Sequence, residues 1–258
     1  MGGIERDTAQ MNGLDMRFPV ASASVTSARH SAGEFAESVG AVRHDVELAV
    51  SEAVTNSVVH AYPDGREGTI TLQAEREDGG LVLTVRDDGT GLRPDPDSKG
   101  IGLGLPLIAR LSKDYRIEEA PGGGTAISMR FGIGMAGVPS EGEGAVSERQ
   151  SRSEGIVTVE VKGEVDLQVA PRLEKDLNGV ALDKPVLVDM SAVTFLDSSG
   201  MRALLLAAER FAVAGARWAI VLSDASRVRA GLALAGIDHR LPLRSNRKEA
   251  LLFLEGPG

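Results

Sequence analysis

An α+β two-layer sandwich at residues 14–132, followed by a small α/β domain at 156–254, is the fold the sequence predicts. Three patterns predict it. In the first part, two helical stretches precede a run of alternating, β-branched segments, the order expected of helices laid on a largely antiparallel sheet. In the last part, strand-like and helix-like segments alternate. Between them lie residues 133–155, IGMAGVPSEGEGAVSERQSRSEG, rich in Gly, Ser and Glu. They show neither helical nor strand periodicity and read as a flexible linker.

In the first domain, a strand-like stretch runs from Met16 to Val25. Helical patterns follow at 27–39 and 42–60. In the second, Val46, Val50, Ala53 and Val54 form an apolar stripe at helical spacing. Thr69–Glu77 and Leu81–Asp87 alternate, and Asp78-Gly79-Gly80 between them signals a hairpin. A glycine-rich loop leads into a helix near 103–112, and strands near 115–119 and 124–131 join through Pro121-Gly122-Gly123. In the second domain, Ile156–Lys162 reads as a strand and Gln168–Gly179 as a helix. Pro185–Met190 is the continuous apolar run of a buried parallel strand. A turn at Ser191–Leu196 precedes a helix at Ser199–Ala214. Trp218–Leu222 reads as a strand, and Ser226–Ala235 and Lys248–Phe253 as helices.

The chain has 258 residues, 42% hydrophobic and 25% charged, ordinary for globular protein. Its formal charge of -9 argues against direct binding to nucleic acid or to an anionic membrane, which need a basic surface. The absence of cysteine excludes disulfides, thiolate catalysis and Cys-ligated metal sites. The N-terminal residues lack the apolar run of a signal peptide, and no stretch is long enough to span a bilayer, so a cytoplasmic location is expected.

The chemistry gathers around one helix. Glu52 and Asn56 stand at i and i+4, on the same side. An Asn oxygen suits Mg²⁺, a hard cation that brings phosphates with it, and a Glu can take a proton from an attacking hydroxyl. Taken alone, the pair favours a solvated helix face. Three glycine clusters follow in order. Asp87-Asp88-Gly89-Thr90-Gly91 ends a strand, Gly100-Ile101-Gly102-Leu103-Gly104 opens a helix, and Gly122-Gly123-Gly124-Thr125 opens the last strand. Helix N-termini after glycines offer free N–H groups to phosphate, and an Asp at a strand end can accept from the exocyclic amine of adenine.

At these residues the sequence resembles the GHKL ATPase superfamily and, more closely, the bacterial anti-sigma factor serine kinases. Glu52-Ala-Val-Thr-Asn56, with Ser51 before it and His60-Ala61-Tyr62 after, matches their N box. Asp87-x-Gly89-x-Gly91, Gly100-x-Gly102-x-Gly104 and Gly124-Thr125 match the three glycine boxes. The resemblance implies ATP and Mg²⁺ as cofactors, Glu52 as general base, Asn56 as the Mg²⁺ ligand and Asp87 as the reader of adenine. Thr125 would support the adenine pocket, and Gly89 and Gly91 would line the nucleotide loop. Gly100, Gly102 and Gly104 would lie near the phosphates, with Lys99 adding a contact. Dimerisation through this domain is also implied. One departure is the segment Leu92 to Lys99, short for an ATP lid and stiffened by Pro94 and Pro96. Histidine kinases share the boxes, but no helical dimerisation segment with a phosphoacceptor histidine is present.

Far downstream stands Asp197-Ser198-Ser199-Gly200 at the start of a helix, where Asp and Ser cap free N–H groups. A serine exposed there is accessible, and a phosphate would meet the positive end of the helix dipole. With Gly163-Glu164-Val165-Asp166, Val188-Asp189-Met190-Ser191 and Phe195-Leu196, this stretch resembles the STAS domain of anti-sigma factor antagonists. The resemblance makes Ser198, directly after the Asp, the phosphoacceptor. Asp166 also reads as a plain loop cap.

Joined, the two halves imply an ATP-dependent protein-serine kinase fused to its antagonist-type STAS domain, a partner-switching regulator of transcription. The implied partners are a sigma factor or another anti-sigma or STAS protein, and the STAS domain of the same chain. A coil-like linker would span about 25 Å and give a local concentration around millimolar. The short lid motivates an alternative, a non-catalytic module whose halves bind regulatory partners without phosphotransfer.

Overall fold

The computed structural model describes residues 13–77, 79–91, 103–134, 149–153 and 155–256. They fall in two compact units that divide between Pro139 and Ser140. The first contains β1 (Gly13–Pro19), α1 (Ser22–Val39), α2 (Arg43–His60), β2 (Thr69–Glu77), β3 (Gly80–Asp87), α3 (Gly104–Leu111), β4 (Asp114–Glu119) and β5 (Thr125–Gly132). The strands form a sheet of order β1-β2-β3-β5-β4, antiparallel throughout. Its burial alternates as a half-solvated sheet requires. Ile70, Leu72, Ala74, Leu83, Val85, Ile127 and Met129 are buried on one face, while Thr71, Gln73, Thr84, Arg86, Ser128 and Arg130 on the other are half-buried or exposed. With helices on the buried face, this is the expected two-layer α+β sandwich.

α2 is the central helix. It packs against α1, α3, β3 and β5, so Val46, Leu48, Ala49, Val50, Ala53 and Val54 are all buried. A helix covered on several sides buries its polar residues too, and Ser51, Glu52 and Ser57 go inside with the apolar ones. The first strand differs from the predicted stretch. It stops at Pro19, and the chain turns at once into α1, with the Ser24 hydroxyl donating to the Pro19 carbonyl at 2.7 Å. Proline ends an edge strand naturally because it has no N–H to pair.

The second unit holds β6 (Arg149–Ser153), β7 (Ile156–Val165), α4 (Ala170–Gly179), β8 (Val186–Leu196), α5 (Ser198–Val213), β9 (Trp218–Val221), α6 (Arg227–Leu234), β10 (Leu243–Arg244) and α7 (Arg247–Glu255). The sheet order is β10-β9-β8-β7-β6, parallel except for β6. Helices cover both faces. α7 packs on the Leu187 and Ala219 side, and α5 brings Phe211 edge-on to Trp218, 4.8 Å between ring centroids, on the other. That double cover explains the apolar run Val186-Leu187-Val188, fully buried at every residue.

Two local expectations are corrected. Residues 149–153, read as part of the linker, form an antiparallel edge strand on β7. Ser191–Leu196, read as a turn, continues β8 instead. After register shifts at Glu160/Lys162 and Gly163/Glu164, β7 keeps pairing, Glu164 with Phe195 and Val165 with Leu196. Burial of Val193, Phe195 and Leu196 holds the extension. It delivers Asp197 and Ser198 directly to the carboxyl ends of two parallel strands.

Candidate functional site

In the first unit, Glu52 is 1% exposed in the middle of α2, and Asn56 is half-buried one turn on. Both face the first residue of α3. A Cβ built on Gly104 would lie 2.9 Å from the Glu52 Oε2 and 3.6 Å from both amide atoms of Asn56. The glycine therefore leaves a cradle between a carboxylate, a carboxamide and a helix N-terminus. The Thr55 hydroxyl, on the same helix, is buried with no hydrogen-bond partner among the described residues.

Across the site, Asp87 ends β3 and is 3% exposed. Its Oδ1 accepts the Gly89 N–H at 3.0 Å and the Thr125 N–H at 3.1 Å, and its Oδ2 accepts the Ser57 hydroxyl at 3.0 Å. Such a carboxylate is an acceptor fixed in direction, with lone-pair capacity left on Oδ2. Gly91 and Gly124 have φ of +78° and +89°. Thr125 opens β5 and is buried. Thus Glu52, Asn56 and Gly104 stand together, as do Asp87, Gly89 and Thr125, with α2 linking the groups through Ser57. Lys99, Gly100 and Gly102, and the segment 92–99 read as a lid, lie outside the described residues.

The residues fit ATP and Mg²⁺. No cluster of three His, Asp or Glu that could cage a metal alone exists among the described residues. A Mg²⁺ here would take few protein oxygens and complete its shell from phosphates and water, its usual mode of binding. Asn56 would hold it, and the absence of a side chain at Gly104 keeps the α3 N-terminus close to Glu52 and Asn56.

Sequence reasoning gave no role to Ser57, Tyr62 or Asp88. The Tyr62 hydroxyl lies 2.6 Å from the Asp88 Oδ1, which also accepts the Thr69 N–H at 2.9 Å. Bonds from the Thr69 N–H and then the Tyr62 hydroxyl hold the Asp88 carboxyl below the usual range, while burial and then the Asp88 bond push the Tyr62 phenol up. These contacts join segments far apart in sequence, so no local pattern announces them. His60, at the end of α2, is exposed.

In the second unit, Asp197 is 1% exposed and caps α5, its Oδ1 accepting from the Ser199 N–H at 2.9 Å and the Gly200 N–H at 3.2 Å. The Asp197 N–H donates to the Val165 carbonyl at 3.1 Å, tying the α5 start to the end of β7. Ser198 is then the first residue of the helix, half-buried rather than exposed as expected. Asp166, directly after β7, is a loop cap, as its sequence context allowed, with Oδ1 accepting the Gln168 N–H at 3.1 Å. Asp197→Ala should cost the second unit about 1–2 kcal/mol through the lost cap. Urea unfolding followed by the fluorescence of Trp218, the single tryptophan, measures it; an unchanged midpoint would show the cap to be idle.

The comparisons with known proteins follow the same division. The histidine kinase-like ATPase domain family matches residues 18–131, and the STAS domain family matches residues 150–250. The anti-sigma F factor of Clostridium novyi is 33% identical over 97 residues, 33% of this chain and 68% of that protein. That of Clostridium acetobutylicum is 29% identical over 133 residues, 46% of this chain and 92% of that protein. A solved anti-sigma factor antagonist from Mycobacterium paratuberculosis is 27% identical and covers 43% of this chain and 96% of its own, at a TM-score of 0.40. The chain therefore belongs to the anti-sigma F factor family, with a histidine kinase-like ATPase domain followed by a STAS domain.

Proposed function

We propose that this chain is an ATP-dependent protein-serine kinase and anti-sigma factor joined to its antagonist-type STAS domain, and that phosphorylation of Ser198 sets which partner it holds. The observation that carries the reading is the pair of facing groups in the first unit. Glu52 and Asn56 meet the α3 N-terminus at Gly104, and Asp87 is locked as a directed acceptor by Ser57, Gly89 and Thr125. The same chain carries Ser198 beside a buried capping Asp197.

In this reading Asp87 accepts the exocyclic amine of adenine and Thr125 walls the base. Gly89 and Gly91 let the backbone approach the nucleotide, and Lys99, Gly100, Gly102 and Gly104 receive the phosphates. ATP would supply the phosphoryl group, and Asn56 would hold a Mg²⁺ that offsets its charge. Glu52 takes the proton of the serine hydroxyl as the Ser Oγ–P bond forms and the bond to the leaving ADP oxygen breaks. Unphosphorylated STAS would occupy the kinase-like domain; phosphorylated STAS would leave it free for a sigma factor.

The test is a phosphosite map of the full chain incubated with labelled ATP and Mg²⁺. Label is expected on Ser198, absent in Ser198→Ala, retained in Ser199→Ala and lost in Glu52→Ala. Label elsewhere, or label that survives Glu52→Ala, overturns the assignment. ATP–Mg²⁺ binding that is lost in Asn56→Ala, with no label in the parent chain or on a separate STAS domain, would instead identify a non-catalytic module.

A further inference from the structure

We infer that Tyr62 and Asp88 form a positioning pair that sets the angle of the Asp87 carboxylate and thereby the affinity of the site for its nucleotide base. The inference rests on the reading of Asp87 as the group that meets adenine. Asp88 is exposed, and an exposed aspartate in a glycine-rich loop ordinarily faces water. Here three of its polar groups are committed to one segment, residues 61–69, which leaves α2 and enters β2. Its Oδ1 takes the Tyr62 hydroxyl and the Thr69 N–H, its own N–H donates to the Tyr62 oxygen at 3.2 Å, and its carbonyl accepts the Arg66 guanidinium. The Arg66 guanidinium also lies over the Tyr62 ring, 5.0 Å from its centroid.

A phenol has one proton. The Tyr62 oxygen is 2.6 Å from the Asp88 carboxylate and 3.3 Å from the Thr69 carbonyl, so the shorter, charge-assisted bond takes it. The buried ring lies flush against Gly68, where a Cβ would sit 2.0 Å from a ring carbon. Two residues beyond Asp88, the Thr90 N–H donates to the Ala61 carbonyl at 2.9 Å. The backbone is thus tied to the 61–69 segment on both sides of Gly89.

Gly89 is the link to the base site, because its N–H is one of the two that orient the Asp87 Oδ1. With Thr90 still held by Ala61, releasing Asp88 frees only the Asp88 side of Gly89, and the Gly89 N–H turns with it. Ser57 and Thr125 belong to other elements and still hold the carboxylate, so it tilts without coming free. The Tyr62–Asp88 bond is part-buried and ties the glycine loop to the segment between α2 and β2. Its effect falls on a direction, and a direction is what a hydrogen bond to a base reads.

Calorimetric titration of the full chain with ADP in Mg²⁺ tests the pair. Tyr62→Phe, which keeps the ring, and Asp88→Ala should each raise Kd about tenfold. Asp88→Asn should stay near the parent value, since the amide oxygen still accepts from Tyr62 and Thr69. Asp87→Asn tests the underlying reading and should abolish binding. Full affinity in Asp87→Asn would sink the base reading itself. If Asp87→Asn abolishes binding while Tyr62→Phe and Asp88→Ala bind like the parent, the positioning pair is overturned. It is equally overturned if Asp88→Asn weakens binding as much as Asp88→Ala.

Discussion

Glu52→Gln is expected to slow phosphotransfer to Ser198 by about 10²–10⁴-fold, with nucleotide affinity and melting temperature close to those of the parent chain. The substitution is nearly isosteric, which matters because Glu52 is 1% exposed and one of its oxygens faces the space left by Gly104. A glutamine fills that volume but cannot take a proton from the attacking serine. The effect should therefore appear in kcat, since the lost interaction forms only as the hydroxyl is deprotonated. Asn56→Ala should show the opposite division. Its carboxamide stands beside the same cradle and is not a base, so its removal should weaken nucleotide–Mg²⁺ binding. Single-turnover transfer with saturating ATP, combined with calorimetric titration of both variants, separates the two roles. A Glu52→Gln chain that transfers within tenfold of the parent rate would show that another group is the base. Loss of affinity in Glu52→Gln would make the residue a structural prop.

The same helix shows how far the sequence could be read. The stripe Val46, Val50, Ala53 and Val54 predicted α2, and all four residues are fully buried. Glu52 and Asn56 are visible because i and i+4 share a helix side whatever packs around it. Ser57 is one residue further on, yet its bond to Asp87 exists only because α2 crosses β3. No spacing rule encodes that crossing, and the bonds of Tyr62 to Asp88 are hidden for the same reason. Strand limits failed where backbone pairing outweighed side-chain pattern. Arg149–Ser153 has no apolar alternation, and its pairing with β7 alone makes it a strand. Ser191–Leu196 holds polar residues at Ser191 and Thr194, but β7 continues beside it past its own register shifts and keeps it extended. These ladders are long-range facts, set by the sheet and not by the segment.

Gly124→Ala should be the most damaging glycine-to-alanine change among the described residues of the first unit, roughly 2–5 kcal/mol from a strained backbone and a backbone clash together. Its φ is +89°, which an L side chain rarely adopts. A Cβ there would lie 2.1 Å from the Asp87 carbonyl oxygen, 2.7 Å from the carbonyl carbon and 2.9 Å from the Asp87 Oδ1. The first two are backbone atoms of a central strand, so neither can swing aside as a flexible side chain would. Relief requires β3 and the start of β5 to separate, and that breaks the Thr125 N–H bond to Asp87 on which the carboxylate's direction depends. Gly122 supplies the control. Its φ of +91° is the same, but a Cβ there meets nothing within 4 Å. Gly122→Ala should therefore cost only the backbone share, about 1–2 kcal/mol. The chain's two tyrosines, Tyr62 and Tyr115, both lie in the first unit, so their fluorescence follows its unfolding apart from the tryptophan in the second. Equal losses in Gly122→Ala and Gly124→Ala would show that backbone strain alone matters. A much larger loss in Gly124→Ala, with abolished ADP binding, would show that this glycine is required because β5 must pass against the carbonyl of Asp87.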